Sequence, residues 1–135
     1  MNSFDLFVYA LCVWREARNS HEGMVAVAWV IKNRLLTGKW GATIADVVED
    51  KLQFSSMTAL GDPGTVVWPN TFTSKADMTA WKDALQICQQ VATAGQAEDI
   101  TNGSTYYFAE SIPKPSWADA MTLVATIGGQ QFYRG

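Results

Sequence analysis

Two apolar stretches near the start of the chain, Phe4 to Trp14 and Met24 to Ile31, constrain the fold more than any other feature. Each is apolar almost all round rather than along one stripe, as expected of a helix buried on most sides. The run between them, Trp14-Arg15-Glu16-Ala17-Arg18, places an acid where the chain leaves its own core. A carboxyl group there, beside Trp14, would lose hydration. That loss disfavours its charged form and suits Glu16 to act as a general acid. The competing reading is a surface ion pair of Glu16 with Arg15 or Arg18.

At 135 residues the chain has the size of one domain, spanning 1–135, with a single compact core. Hydrophobic residues make up 48% and charged residues 17%, a balance that argues against long disordered stretches. A net charge of −3, with Lys and Arg scattered, leaves no basic field for a phosphate backbone, so no nucleic-acid partner is expected. Cys12 and Cys88 fall at apolar helical positions and read as core thiols rather than a disulfide. His21 is the one histidine and no zinc spacing is present, so neither metal nor cofactor is expected. The run from Phe4 to Trp14 is too short to span a bilayer, has no basic residue ahead of it and ends in Arg-Glu-Ala-Arg. Neither stable membrane association nor a signal peptide is expected.

Ser3 is suited to cap a first helix that runs to about Arg18, and His21-Glu22-Gly23 opens a second that ends near Gly38. Thr43 with Asp46 forms a capping box for a short third helix from Ile44 to about Lys51. From Leu52 to Thr73 no period persists, and Gly and Pro punctuate a long loop. Ser74 with Asp77 caps a fourth helix whose apolar positions Met78, Trp81, Leu85, Cys88, Val91 and Ala92 step by threes and fours up to Gly95. Beyond it, Thr105 to Phe108 and Met121 to Ile127 are β-prone, and Gly128-Gly129 turns the chain back into Gln130 to Arg134. The fold class is α+β, predominantly α-helical, with a small β element in the C-terminal part.

Glu16-Ala17-Arg18, Glu22-Gly23-Met24-Val25-Ala26-Val27-Ala28, Ile31-Lys32-Asn33-Arg34 and Gln53-Phe54-Ser55 occur in that order. Thr101-Asn102-Gly103 then leads to Tyr106-Tyr107, and Thr126-Ile127-Gly128 to Phe132-Tyr133. This series resembles the catalytic domain of the SleB-type cell-wall hydrolases, spore-cortex-lytic enzymes and related phage lysins, over nearly the whole chain. The resemblance implies a lysozyme-like fold that cleaves peptidoglycan between N-acetylmuramic acid and N-acetylglucosamine, with Glu16 in the catalytic position. Three departures stand out. Asn19-Ser20 replaces a glycine and a second acid in a loop about one residue shorter than the pattern. Gln130 stands where a histidine is often found, and Ala109-Glu110 stands for the Asn-Pro that commonly follows the paired tyrosines.

Cleaving a glycosidic bond needs a proton on the departing oxygen, and a hydrolase adds a second carboxylate, about 5 to 5.5 Å away for retention or about 6.5 to 9.5 Å for inversion. Asp46, Glu49, Asp50, Asp62 and Glu110 are candidates by proximity alone. A lytic transglycosylase needs no second acid, because the muramic acid C6 hydroxyl attacks and one acid serves twice; the absence of an obvious second acid, together with the resemblance, favours this route. Sugar rings ask for flat aromatics flanked by amides and hydroxyls, so Gln53, Phe54, Ser55, Tyr106 and Tyr107 are the expected substrate-binding residues. Arg18 is expected to brace the loop carrying the acid, with Glu22 positioning Arg18 across the turn and Asn102 as a further support. Trp14 and Trp29 are expected as buried supports. Peptidoglycan glycan strands are the expected partner, met at the bacterial wall or periplasm by a phage-type endolysin made in the host cytoplasm. The alternatives are a muramidase-type hydrolase and a non-catalytic peptidoglycan-binding module. No feature fixes an oligomeric state.

Overall fold

The computed structural model describes residues 1–50, 54–58, 62–66, 68 and 74–135. Helix α1 covers Ser3–Ala17 and α2 covers His21–Thr37. Asn2, not Ser3, caps α1: its side chain accepts from the Asp5 N–H at 2.8 Å, and Ser3 already lies inside the helix. Ser20 caps α2 by accepting from the Gly23 N–H, and Gly38, at φ 71°, closes it in the left-handed conformation that glycine adopts without a Cβ penalty. Every residue from Val8 to Trp14 is buried, and so are Met24 and Ala26 to Ile31, which makes α1 and α2 the centre of the core. Burial starts later than the apolar stretch does. Phe4 and Phe7, three residues apart on one face of α1, are exposed, and Phe7 meets Trp81 edge-on.

Helix α3, Ile44–Glu49, begins in the Thr43–Asp46 capping box and packs on both central helices. The segment read as loop is not structureless where it is described. Phe54, 1% exposed, plugs the core, and helix α4 follows over Ser55–Thr58, then a 3-10 turn over Pro63–Val66. The Asp62 carboxylate accepts from Ser55 Oγ at 2.5 Å and from the Gly64 N–H at 2.7 Å, a local clasp that periodicity does not register. Helix α5, Lys75–Thr93, is capped by Ser74 and lies across α1 and α2. Its contact stripe is Ala80, Ala84, Ile87, Cys88 and Val91, whose small members let the helices approach closely; Met78, expected in the stripe, is exposed. Cys12 and Cys88 are free and buried.

Strands β1 (Tyr106–Ala109), β2 (Thr122–Ile127) and β3 (Gln130–Arg134) form an antiparallel sheet in the order β1-β3-β2. Alternation divides its side chains between two faces. Tyr107 stacks on Phe132, with Ala125 and Ile127 beside it, and this face covers Ala26 and Val30 of α2. The other face carries Tyr106, Phe108, Tyr133 and Trp117 in a small aromatic cluster of its own. A buried polar knot joins α2 to the start of the sheet. Both Asp99 oxygens are satisfied, one by the Thr101 N–H and hydroxyl, the other by Asn33 Nδ2 at 2.8 Å and the Gly103 N–H. Asn33 also donates to the Ser104 carbonyl and Arg34 Nε to the Thr105 carbonyl. That knot sets the strand on which Tyr107 sits.

Candidate active site

Glu16 occupies the last turn of α1 and is half-buried. Its two carboxyl oxygens are held from opposite ends of the chain: Oε1 accepts from Tyr107 Oη at 2.5 Å and Oε2 from Ser56 Oγ at 2.6 Å. Hydrogen bonds to a charged oxygen are short and stronger than neutral ones, so the pair fixes the carboxyl plane. Burial, and next the Glu16 charge, push the Tyr107 phenol well above its ordinary range, so it stays a proton-bearing donor. Ser56 is buried, and its carbonyl accepts from Arg15 Nη1 at 3.0 Å. Arg15 reaches the Thr65 carbonyl as well and lies 4.7 Å from the Trp68 ring, which links α1 to Ser56, Thr65 and Trp68.

An open cleft of about 340 Å³ runs past Glu16, lined by Arg15, Arg18, Ser20, Gly128 and Gln130 among others. Among the described residues lining it, Glu16 is the one acid. Asp46 is spent in its capping box, Asp62 in its clasp, and Glu110 lies exposed beyond β1. Among the described residues no cluster of three or more His, Cys, Asp or Glu is placed to hold a metal ion.

The expected site residues divide. Glu16 and Tyr107 meet directly. Ser55 does not reach the acid; it is exposed and turned to Asp62, and its neighbour Ser56 makes the contact instead, since α4 places adjacent residues about 100° apart. Phe54 is a core plug beneath Arg34 rather than a sugar platform. Tyr106 lies on the opposite face of the sheet from Tyr107, between Trp40 and Trp117, so only one member of the pair can touch Glu16. Gln53 lies outside the described residues. Arg18 pairs with Asp77 at 3.5 Å and lies 4.9 Å from the Trp14 ring centroid. Glu22 is exposed in the first turn of α2 and forms no ion pair with Arg18. Asn102 adopts φ 53°, donates to the Val124 carbonyl and accepts from Arg134, which makes it a brace of the turn before β1. Trp14 and Trp29 are buried, Trp14 with its indole N–H on the Asp77 carbonyl.

A helical body with a half-buried carboxyl group, gripped at both oxygens in an open cleft beside a small sheet, has the form of an enzyme built around an acid. The chain belongs to the cell wall hydrolase family, whose model matches residues 18–133 and so begins two residues after Glu16. The catalytic domain of the germination-specific lytic transglycosylase SleB from Bacillus anthracis superposes with a TM-score of 0.69 at 23% identity, covering 99% of this chain and 97% of that one. The catalytic domain of the Bacillus cereus SleB protein gives 0.68 at 25% identity, covering 98% and 91%. No curated protein matches the chain. Among the described residues no helix is long and apolar enough to cross a membrane.

Proposed function

We propose that residues 1–135 form one glycan-cleaving catalytic domain that cuts the β-1,4 bond from N-acetylmuramic acid to N-acetylglucosamine as a lytic transglycosylase, with Glu16 as the single general acid and base. The observation that carries this reading is a cleft with one acid, gripped at both oxygens, and no second carboxylate among its described lining residues. Protonated Glu16 gives its proton to the glycosidic oxygen, and the N-acetylglucosamine side leaves as a neutral alcohol. The C6 hydroxyl of muramic acid then bonds to C1 and returns its proton to the Glu16 carboxylate, closing a 1,6-anhydro ring and restoring the acid. Ser56 suits such a cycle, because a hydroxyl can donate to the carboxylate and turn to accept from the protonated form. The B. anthracis structure, described as a lytic transglycosylase, supports the same choice.

Mass spectrometry of the products released from purified cell wall tests it. Muropeptides with anhydro ends are expected, and Glu16→Gln is expected to abolish release while leaving the fold intact. Muramic acid ends that borohydride reduces would replace this mechanism with hydrolysis. We further place the chain as a phage-type endolysin, made in the host cytoplasm and active at the wall. Expression inside a bacterium followed by membrane permeabilisation is then expected to cause lysis that Glu16→Gln does not.

A further inference from the structure

We propose that Gln130 is the residue that positions the sugar in the Glu16 cleft, by reading the 2-acetamido group of an N-acetylated amino sugar; the inference rests on the glycan-cleaving reading above. Gln130 opens β3 and lines the same cleft as Glu16. Its face is fixed by register. Gln130 lies two residues before Phe132, and Phe132 pairs with Tyr107, so Gln130 projects from the sheet on the side from which Tyr107 reaches Glu16.

Its carboxamide oxygen is buried and accepts no hydrogen bond from the described residues. A buried acceptor without a donor is costly and uncommon, and one beside a catalytic group is best understood as capacity kept for a ligand. The turn before it packs closely: Gly128 lies so near the α1–α2 turn that a Cβ there would meet Ser20 Oγ at 3.0 Å and Gly23 Cα at 3.2 Å. The backbone of Gln130 is paired in the sheet opposite Ala109 and Ile127, while its carboxamide oxygen has no donor among the described residues. The last torsion of a glutamine is soft and nearly two-fold, so Oε1 can swing to the cleft without breaking a bond of its own.

An acetamido group is the complement of such an amide. It offers one N–H donor and one carbonyl acceptor side by side, and a primary carboxamide offers the matching acceptor and donor. The neighbouring cations Arg15 and Arg18 already have partners, and Asn19, the other side-chain amide lining the cleft, is exposed to solvent, so Gln130 offers the cleft's buried unpartnered acceptor.

The test measures equilibrium binding to the inactive Glu16→Gln protein, with and without Gln130→Leu, of a soluble amino-sugar oligosaccharide in fully N-acetylated and N-deacetylated forms. Glu16→Gln is expected to prefer the acetylated form, and Gln130→Leu is expected to cut that preference about tenfold, the worth of one or two hydrogen bonds. The charge of the free amines acts on both proteins alike and cancels in the ratio. A preference unchanged by Gln130→Leu overturns the proposal. Thermal melting gives a second readout: removing an unpartnered acceptor should hold or raise the Tm, whereas a fall of several degrees would make Gln130 a structural residue and overturn it too. Failure of the wild-type protein to release soluble products from wall would instead bring down the transglycosylase reading, which the binding ratio does not measure.

Discussion

Tyr107 gives Glu16 a hydrogen bond from a rigid strand, and burial keeps its phenolic proton in place. Tyr107→Phe removes the donor and little volume, so the fold should persist while wall digestion falls about 10- to 100-fold, the range for a hydrogen bond to a charged group. The same burial sets a pH signature. A phenol raised in the folded state contributes fully below the ordinary tyrosine value, and stability drains as pH climbs from there toward the folded value, because the unfolded chain ionises first. Denaturation followed from pH 8 to 11 should show this alkaline loss in the wild type and a smaller one in Tyr107→Phe; equal losses would remove Tyr107 as its source. At this scale the sequence was partly legible. Glu16 is conspicuous as an acid at the exit of an apolar helix, and Tyr107 as one of an aromatic pair. Ser56 was hidden because choosing it over Ser55 needs the phase of a one-turn helix, and a four-residue helix has too few residues to display a period. Gln130 was visible only as a substitution, since its direction depends on which face of the sheet Phe132 takes.

The long helices α1, α2 and α5 announce themselves through caps and apolar spacing and the short α3 through its capping box, while α4 depends on contacts with distant chain. Helix α4 is held at its start twice over, by Phe54 in the core just before it and by the Asp62 clasp on Ser55, and neither follows from local pattern. The Ser55 hydroxyl, then the Gly64 N–H, hold the Asp62 carboxyl below the usual carboxylate range. A group depressed in this way stabilises the fold above its unfolded value and ceases to do so as pH falls through its folded value. The clasp should therefore survive mild acid and open only once Asp62 protonates. Following the Asp62 carboxyl carbon by NMR should place its midpoint low in the wild type and nearer the ordinary carboxylate value in Ser55→Ala; an unmoved midpoint would show that Ser55 is not its partner. The resemblance motifs around Asn33 and Thr101-Asn102-Gly103 meet in the Asp99 knot, so their work is to hold the sheet against α2 rather than to touch a sugar.

Over the whole molecule the site is a meeting of four remote segments: Glu16 from α1, Ser56 from α4, Tyr107 from β1 and Gln130 from β3. Helix α2 carries none of these side chains, yet the sheet rests on it, so the site's geometry depends on where that sheet docks. The hairpin tip is the direct contact between the sheet and the turn that follows Glu16. Gly128 and Gly129 both have positive φ, 59° and 78°, but a Cβ on Gly128 would strike Ser20 and Gly23 while one on Gly129 would meet nothing within 4 Å. The two alanine variants thus separate backbone strain from docking. Gly129→Ala should cost about 1 kcal/mol, near 3 °C in Tm for a chain of this size, and leave activity unchanged. Gly128→Ala adds a tight contact with Ser20 Oγ and Gly23 Cα that the hairpin tip or the α1–α2 turn must relieve by a few tenths of an ångström, so it should melt lower still and lose wall digestion as Gln130 shifts relative to Glu16. Equal effects of the two variants on both melting and digestion would mean that the hairpin's seat on the helices has no part in forming the cleft.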